Sequence, residues 1–577
     1  MKSLFRYFKT NANHAQNTGL FKKRQEPVGN IATVLLHDYF HHGVFQEVIG
    51  EKQWDRLDSR LDKNTDQVCA LLSKYNIKAT FFALGWIADK YPEIISKIVS
   101  AGHEIASAGY NARSVRQLTP EQFREDLRRS KVALEKAGAN RIVGYHSAYQ
   151  WFRESELWAL DILIEEGYLY DASYRPCFIN ILEKPHRRYV HQYHSNNDKI
   201  WELPASTSTF MGMNLPISGG AYFRHFPHFY MFHNYKKWRR KTDAPFILYF
   251  LPWELDSQQP IINAIGPLSK IRRYRNLGKM GRILPKYFEA DPFQNISQYL
   301  NIPLEFPDTD VSSSHKKNAL VSPSQNHYEV SSGNSQIDVS VIIPLFNEVT
   351  SLNYLGKALD ELYLESAGKL KLNFLFIDDG STDDTYESLK RKFQGRQGYN
   401  IIRYQKNMGI AAAIQAGLNA ADTEIACSMD ADCSFDPLEL IKMIPLLNHE
   451  VDIVTASPYH KDGFVYGVPK WRLFLSKSLS RIYHLILNHK LSSYSACFRV
   501  YRRNSVLNLK IKYGDFRGII ELLAMADIHG LTIKEYPTTL QCRIYGHSKM
   551  KIFKSIVGHL KLLFEIAMYI RNYPRKY

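Results

Sequence analysis

Short apolar runs recur along the first three hundred residues, separated by stretches whose apolar positions repeat every three to four residues. Residues 31–36 (IATVLL), 78–84 (KATFFAL) and 245–251 (PFILYFL) are nearly unbroken apolar segments. Runs this short, alternating with helical patterns, predict strands buried on both faces of a parallel sheet or barrel. The expected first domain is therefore a (β/α) barrel over residues 29–305. From 306 to 336 the chain turns polar and Ser-rich with little periodicity, which predicts a linker. The alternating pattern resumes at residues 339–343 (VSVII), 372–377 (LNFLFI) and 424–429 (EIACSM), predicting a second, Rossmann-like α/β domain over 337–548. Residues 1–28 are basic and are expected to be disordered. The tail, 549–577, places Ile552, Ile556, Leu560, Leu563, Ala567 and Ile570 near helical spacing among seven Lys or Arg and one Glu. Such a helix can lie in a membrane interface or pack its apolar side on its own domain.

Charge narrows the partners. A net charge of +17 favours anionic ones, and no zinc-finger spacing or RNA-binding signature points to nucleic acid. Nucleotide and lipid phosphates, or an anionic membrane surface, are the expected partners. The six cysteines form no CxxC pair, the start lacks a long apolar segment, and no run of about 18 uncharged apolar residues is present. The expected location is the cytoplasm, peripheral at the inner face of the plasma membrane.

The candidate chemistry of the second domain sits where its apolar runs end. The first run closes on Pro344, Asn347 and Glu348, the second on Asp378 and Asp379 followed by Gly and Ser, and the third on Asp430 and Asp432. Ligands in open α/β sheets bind beyond the carboxyl ends of strands. A carboxylate pair such as Asp378 and Asp379 can accept hydrogen bonds from a base and a ribose, although either can equally cap a helix. Asn407 opens a loop that feeds a small-residue helix, and that composition is also what a closely packed helix requires. Asp430 and Asp432, two residues apart at a strand tip, can ligate one hard cation. Mg²⁺ or Mn²⁺ suits an oxygen-only site and would neutralise a departing diphosphate.

Taken in order, these blocks resemble the family 2 inverting glycosyltransferases of GT-A fold, and most closely the dolichol- and polyprenyl-phosphate sugar synthases. The further carriers are residues 495–503 (SACFRVYRR), the helix ending near Glu521, and residues 543–549 (RIYGHSK). The resemblance implies a nucleotide-sugar donor held by Pro344, Asn347, Glu348, Asp378, Asp379 and Asn407. It implies Asp430, Asp432 and Glu521 as catalytic carboxylates, with the metal on Asp430 and Asp432. It also implies that Arg499, Arg543, Ser548 and Lys549 meet the phosphate of a polyprenyl phosphate or lipid-linked glycan, as charge-assisted donors would. Relatives carry Gln after the Asp-Ala-Asp-x block and Asp before the Tyr-Thr-Ser-like stretch. Here Ser434 and Ser493 stand in those places, which bears on the acceptor rather than the donor.

The first domain resembles polysaccharide deacetylases on residues 78–86 (KATFFALGW), 101–107 (AGHEIAS), 118–127 (LTPEQFREDL), 167–173 (GYLYDAS) and 251–254 (LPWE). Those esterases need a metal-bound water, a carboxylate base and a His acid. Where relatives have the base, this chain has Leu35. The two metal-binding His positions are Ala108 and Ala112, and the acid is replaced by Leu251, leaving only Asp38. One Asp cannot hold a catalytic zinc in the usual three-ligand manner. A metal site rebuilt from His37, Asp38, His41 and His146 is the alternative to polar residues lining an old pocket. Trp86, Tyr110, Tyr149, Trp151 and Trp253 can stack on sugar rings or simply fill the core. The reading is a transferase for surface polysaccharide assembly fused to an inactive deacetylase-like barrel. Its rivals are a bifunctional deacetylase–transferase and a non-catalytic glycan-binding scaffold.

Overall fold

The computed structural model describes residues 29–41, 43–46, 48–149, 151–176, 185–195, 197–210, 213–305, 336–468, 470–546 and 552–572. The stretch expected to be disordered (1–28), nearly all of the expected linker (306–335), Ser548 and Lys549 lie outside the described residues.

The chain divides into two compact units. One comprises Met1–Gln46, Ser59–Pro260 and Pro267–Asn318; the other comprises Glu47–Asp58, Ile261–Gly266 and Ala319–Tyr577. In the first unit, the apolar runs form the strands β1 (Asn30–Leu36), β2 (Thr80–Ala83), β3 (Glu104–Ser107), β4 (Gly144–Tyr145), β5 (Tyr170–Asp171), β6 (His191–Ser195) and β7 (Asp198–Glu202). They continue with the hairpin β8 (Thr207–Phe210) and β9 (Met213–Pro216), then β10 (Ile247–Phe250) and β11 (Phe293–Gln294). The main sheet runs β10-β1-β2-β3-β4-β5-β7-β6, with β11 also on β1, and every pair but β6–β7 is parallel. β1 is buried along its whole length, as a strand covered on both faces must be.

The second unit is built on a seven-stranded sheet. Its strands are β12 (Ile337–Leu345), β13 (Leu370–Asp378), β14 (Tyr399–Arg403), β15 (Ile425–Ser428), β16 (Ile453–Ser457), β18 (Arg499–Arg502) and β19 (Ile533–Pro537). The short β17 (Phe464–Tyr466) and β20 (Thr539–Gln541) pair separately. The order is β14-β13-β12-β15-β18-β16-β19, with β18 antiparallel to both neighbours and the rest parallel. The result is an α/β fold in both units. Register matters most at three adjacent strands: Leu345 of β12 pairs with Asp378 of β13, and Ile342 with Ser428 of β15. The segments that follow β12, β13 and β15 thus leave the sheet at one edge, side by side.

The last helix, Ile552–Asn572, corrects one detail of the periodicity reading. Leu562, Leu563 and Ile566 are the residues that join the core cluster, whereas Ile556 and Leu560 are 41% and 56% exposed. The helix carries two apolar faces rather than one. Among the described residues, no helix is long and apolar enough to cross a membrane.

Candidate active site

Beyond β12, Asn347 adopts a left-handed backbone (φ 53°) and its side-chain oxygen accepts the Thr382 amide at 2.8 Å. The next residue, Glu348, is buried. Its amide donates to Thr385 Oγ1 at 2.8 Å, and Oε2 accepts the Ser351 hydroxyl at 3.0 Å. Pro344 is buried within β12 opposite Ile377 and offers no polar side chain.

Asp378 ends β13 fully enclosed, with Oδ1 accepting the Ser381 amide at 3.1 Å and Oδ2 3.3 Å from Arg403 Nε. Asp379 is spent differently. Its two oxygens accept the Met408 and Gly409 amides at 2.7 and 2.8 Å, just ahead of the helix Ile410–Ala420. Asp379 thereby holds the loop that enters the helix, whose own N-cap, Gly409, has no side-chain cap. Burial still raises its pKa above the usual carboxylate range, against the lowering effect of those two bonds. Gly380 (φ 71°) must be glycine, because a Cβ there would lie 2.5 Å from the Lys406 backbone. That close approach brings Asn407, which is exposed, alongside the Asp378 loop.

The Met429 amide donates to Ile342 O at 3.0 Å, so the loop Asp430–Asp436 starts level with the end of β12. Asp432 Oδ1 accepts the Ser434 amide at 2.9 Å, and Cys433 is held left-handed (φ 51°). The other oxygen of Asp432 meets Arg543: Nε lies 2.6 Å from Oδ2, while NH1 of the same guanidinium is 3.0 Å from Glu348 Oε1. Arg543 thus bridges the loops after β12 and β15. Asp430 completes the cluster. Desolvation, then repulsion from Asp432, pushes its pKa well up, with Arg543 opposing, and the Cys497 thiol donates to it.

Two expected site residues fall elsewhere. Arg499 is completely buried in β18 and donates to the Ile519 and Tyr494 carbonyls, both at 2.8 Å. It ties the core, so the phosphate role read from the sequence is corrected: an enclosed guanidinium committed to two carbonyls has no path to a phosphate. Glu521 stands in the middle of the helix Phe516–Ile528, not at its end. Its Oε2 accepts the Lys512 and Tyr513 amides at 3.1 and 2.9 Å. It braces the loop before that helix and is no member of the Glu348–Asp430–Asp432–Arg543 cluster.

These carboxylates fit a divalent cation in their donor chemistry and in one observation. A cationic group of the chain itself already bridges Asp432 and Glu348. Among the described residues, no three His, Cys, Asp or Glu side chains converge as a complete ligand set, so phosphate oxygens of a ligand would have to supply the remainder.

At the corresponding strand ends of the first unit, Asp38 Oδ1 accepts the Tyr39 amide at 2.7 Å. Its Oδ2 accepts the Ser59 hydroxyl at 2.7 Å and the Arg60 amide at 2.9 Å. Burial pushes its pKa up to about 6, with these hydrogen bonds opposing. His37 and His146 are buried and held neutral, with pKa values lowered by desolvation to about 3 and about 4. His41 Nδ1 accepts the Asp38 amide at 3.1 Å.

Comparison with known proteins finds different families along the chain. Residues 340–509 match the family described as Glycosyl transferase family 2. Residues 54–156 match Polysaccharide deacetylase, and residues 173–301 match a domain of unknown function, DUF3473. Over 236 residues the chain is 28% identical to a dodecaprenyl-phosphate galacturonate synthase from Rhizobium johnstonii, covering 40% of this chain and 67% of that one. It is 26% identical over 230 residues to a dolichol-phosphate mannosyltransferase from Pyrococcus furiosus, covering 40% and 63%. The chain therefore spans about two thirds of the length of these relatives. Among solved structures, glucosyl-3-phosphoglycerate synthase from Mycobacterium tuberculosis, in complex with Mn²⁺, UDP and glucosyl-3-phosphoglycerate, aligns at 17% identity and TM-score 0.31. That alignment covers 40% of this chain and 80% of the other. Similarity at that level does not transfer ligands.

Proposed function

We propose, for a chain that carries a glycosyl transferase family 2 domain and a polysaccharide deacetylase domain, that it moves a sugar from a nucleotide-sugar donor to a polyprenyl phosphate or lipid-linked glycan, with inversion, in surface polysaccharide assembly. The observation that carries this reading is the Arg543 guanidinium bridging Asp432 and Glu348 at adjoining strand ends, with Asp430 repelled by Asp432 beside it. Asp430 and Asp432 would hold Mg²⁺ or Mn²⁺, which supplies Lewis-acid neutralisation of a leaving nucleoside diphosphate. Asp378, at the end of β13, would accept a hydrogen bond from the nucleoside through Oδ2, to which the chain itself donates no hydrogen bond. Arg543 would turn from the carboxylates to phosphate oxygens as donor binds. An acceptor phosphate oxygen attacks the anomeric carbon as the bond from that carbon to the diphosphate breaks. An acceptor that is already an anion needs no general base, in keeping with Glu521 standing apart from the cluster.

The membrane is the proposed meeting place with the acceptor. The helix Lys470–His484 exposes Trp471, Phe474 and Ile482 beside Lys477 and Arg481, and the helix Ile552–Asn572 exposes Ile556, Val557, Leu560 and Phe564 beside Lys561. Apolar faces bordered by basic residues suit the inner, anionic face of a plasma membrane. The deacetylase-like unit is proposed to be non-catalytic, since Asp38 already accepts three hydrogen bonds from the chain's own donors and the resemblance leaves it without a base or an acid.

A donor screen tests the reading. The protein is incubated with membranes, Mn²⁺ and a panel of UDP-, GDP- and dTDP-sugars, and glycosylated lipid is sought by mass spectrometry. Sugar-bearing polyprenyl phosphate or lipid-linked glycan from one donor is the expected result. Nucleotide release without any lipid product would reject the acceptor assignment.

A further inference from the structure

Two stretches remote in sequence from the transferase segment, Glu47–Asp58 and Ile261–Gly266, belong to the compact unit that carries the Asp430–Asp432 site. They are not ornaments on its surface. Arg56 has a side chain only 4% exposed, with Nε 2.7 Å from Glu361 and NH2 2.9 Å from Asp436. Asp436 closes the loop that opens at Asp430, and its Oδ1 also accepts the Leu438 amide at 3.1 Å. A buried guanidinium shared between two carboxylates is hard to displace, because removing it strands both charges. The far end of the metal-carboxylate loop is therefore pinned by a residue nearly four hundred positions away.

The second stretch grips the other half of the site. The Asn263 amide donates to Ile544 O at 2.7 Å, and its side-chain Nδ2 donates to Gly546 O, also at 2.7 Å. Cys542 Sγ lies 3.6 Å from Ala264 O, and the Gln53 side chain bridges Tyr354 Oη (3.1 Å) and the Gln541 side chain. These contacts fall on the segment that bears Arg543. Residues 542–546 form neither strand nor helix, so no ladder of their own fixes them. A guanidinium can hold Asp432 and Glu348 together only if its backbone stays put. The two carbonyls that Asn263 takes, at positions 544 and 546, lie one and three residues beyond Arg543.

We propose that Asn263 is a positioning residue for Arg543, and that Ile261–Gly266 and Arg56 are working parts of the transferase site even though they lie within the deacetylase-like half of the sequence. The proposal rests on the reading of the Arg543 cluster as the transfer site. It gives the degenerate half a reason to persist without chemistry of its own.

The test uses full-length protein and four forms: wild type, Asn263→Asp, Arg543→Ala and the double variant. Asp keeps the size of Asn263 but sets an acceptor against Gly546 O, which itself only accepts. Asn263→Asp should lower kcat about tenfold with donor KM held within about twofold, and it should add nothing in the Arg543→Ala background. The same factor lost in both backgrounds would show that Asn263 acts independently of Arg543 and would overturn the proposal. Hydrogen–deuterium exchange provides a readout independent of turnover. Amides at 542–546 should exchange about tenfold faster in Asn263→Asp while the amides of β12 and β13 keep their protection. Unchanged exchange at 542–546 also overturns it. If wild-type protein turns over no donor, the functional reading fails alone, and the exchange result still decides whether Asn263 holds this segment.

Discussion

Both units place polar side chains at the carboxyl ends of parallel strands, and they commit those side chains differently. In the second unit, Glu348, Asp430, Asp432 and Arg543 meet as three carboxylates around a guanidinium. In the first, Leu35, Ala108 and Leu251 put apolar side chains there, and Asp38 is closed off by Ser59, Arg60 and Tyr39. The neighbouring His37 and His146 are neutral in their burial. A strand-end cleft is a location that the fold provides, and the chemistry is a separate matter of which side chains remain exposed and charged. Burial raises a carboxyl pKa in each cleft, at Asp38 and at Asp430, but at Asp430 the next cause is a like-charged neighbour, Asp432, whose repulsion a bound cation would relieve.

The contrast is broken most directly by removing charge from the second unit. Asp432→Asn should cut nucleotide release from the active donor by about a thousandfold or more, the scale on which a lost charge-stabilising group acts. Folding should be intact, because the Ser434 amide can still be accepted by the amide oxygen. Activity within a few fold of wild type would remove Asp432 from the metal site. Next in size is Arg543→Ala, with two effects of opposite sign. Transfer should fall by about a hundredfold. Mn²⁺ binding without nucleotide, followed by electron paramagnetic resonance, should tighten, because the guanidinium no longer competes for Asp432 and Glu348. Unchanged or weaker Mn²⁺ binding would show that Arg543 does not stand in for the cation.

Much of this was legible before the structure. Apolar runs ending in Asn347-Glu348, Asp378-Asp379 and Asp430-Ala431-Asp432 announce strand ends, and adjacency of β13, β12 and β15 is what a doubly wound sheet delivers. The misplacements have physical causes. Arg499 lies among Ala496, Cys497, Phe498, Val500 and Tyr501, and a charged residue inside an unbroken apolar strand is a signal of a buried tie rather than of a ligand contact. In Asp378-Asp379, alternation sends neighbouring side chains to opposite sides, so one carboxylate accepts the Ser381 amide of its own loop and the other holds the Met408–Gly409 loop. Periodicity alone cannot choose between two apolar faces of Ile552–Asn572, because tertiary packing makes that choice. Arg56 and Asn263 leave no local mark at all; their roles come from contacts some 300 to 380 positions away along the chain.

The first unit's neutral histidines give a smaller effect with a definite sign. Their folded pKa values, about 3 for His37 and about 4 for His146, lie below the ordinary unfolded value, so the unfolded chain binds the extra protons. Their contribution is complete above about pH 6.5 and is lost as pH falls toward the folded values. Between pH 6.5 and 4, each should cost the unit on the order of 3 kcal/mol. Denaturation midpoints of the full chain across that range check this. His37→Gln should flatten the decline, and an equal slope in the variant would contradict a buried neutral imidazole.

The smallest effect expected is none. Wild-type protein should release no acetate from acetylated chito-oligosaccharides, with or without Zn²⁺. The sharper trial restores His at Ala108 and Ala112 together. A metal on these imidazoles and Asp38 would have to compete with the three hydrogen bonds that the Asp38 oxygens already accept. Even with metal bound, Leu35 offers no base for the attacking water and Leu251 no acid for the leaving amine. Acetate release should stay at background in this double variant and rise only when Leu35→Asp and Leu251→His are added. Robust Zn²⁺-dependent turnover by the wild type would mean that the base and acid missing at Leu35 and Leu251 are supplied elsewhere in the unit, and the contrast between the two clefts would no longer hold.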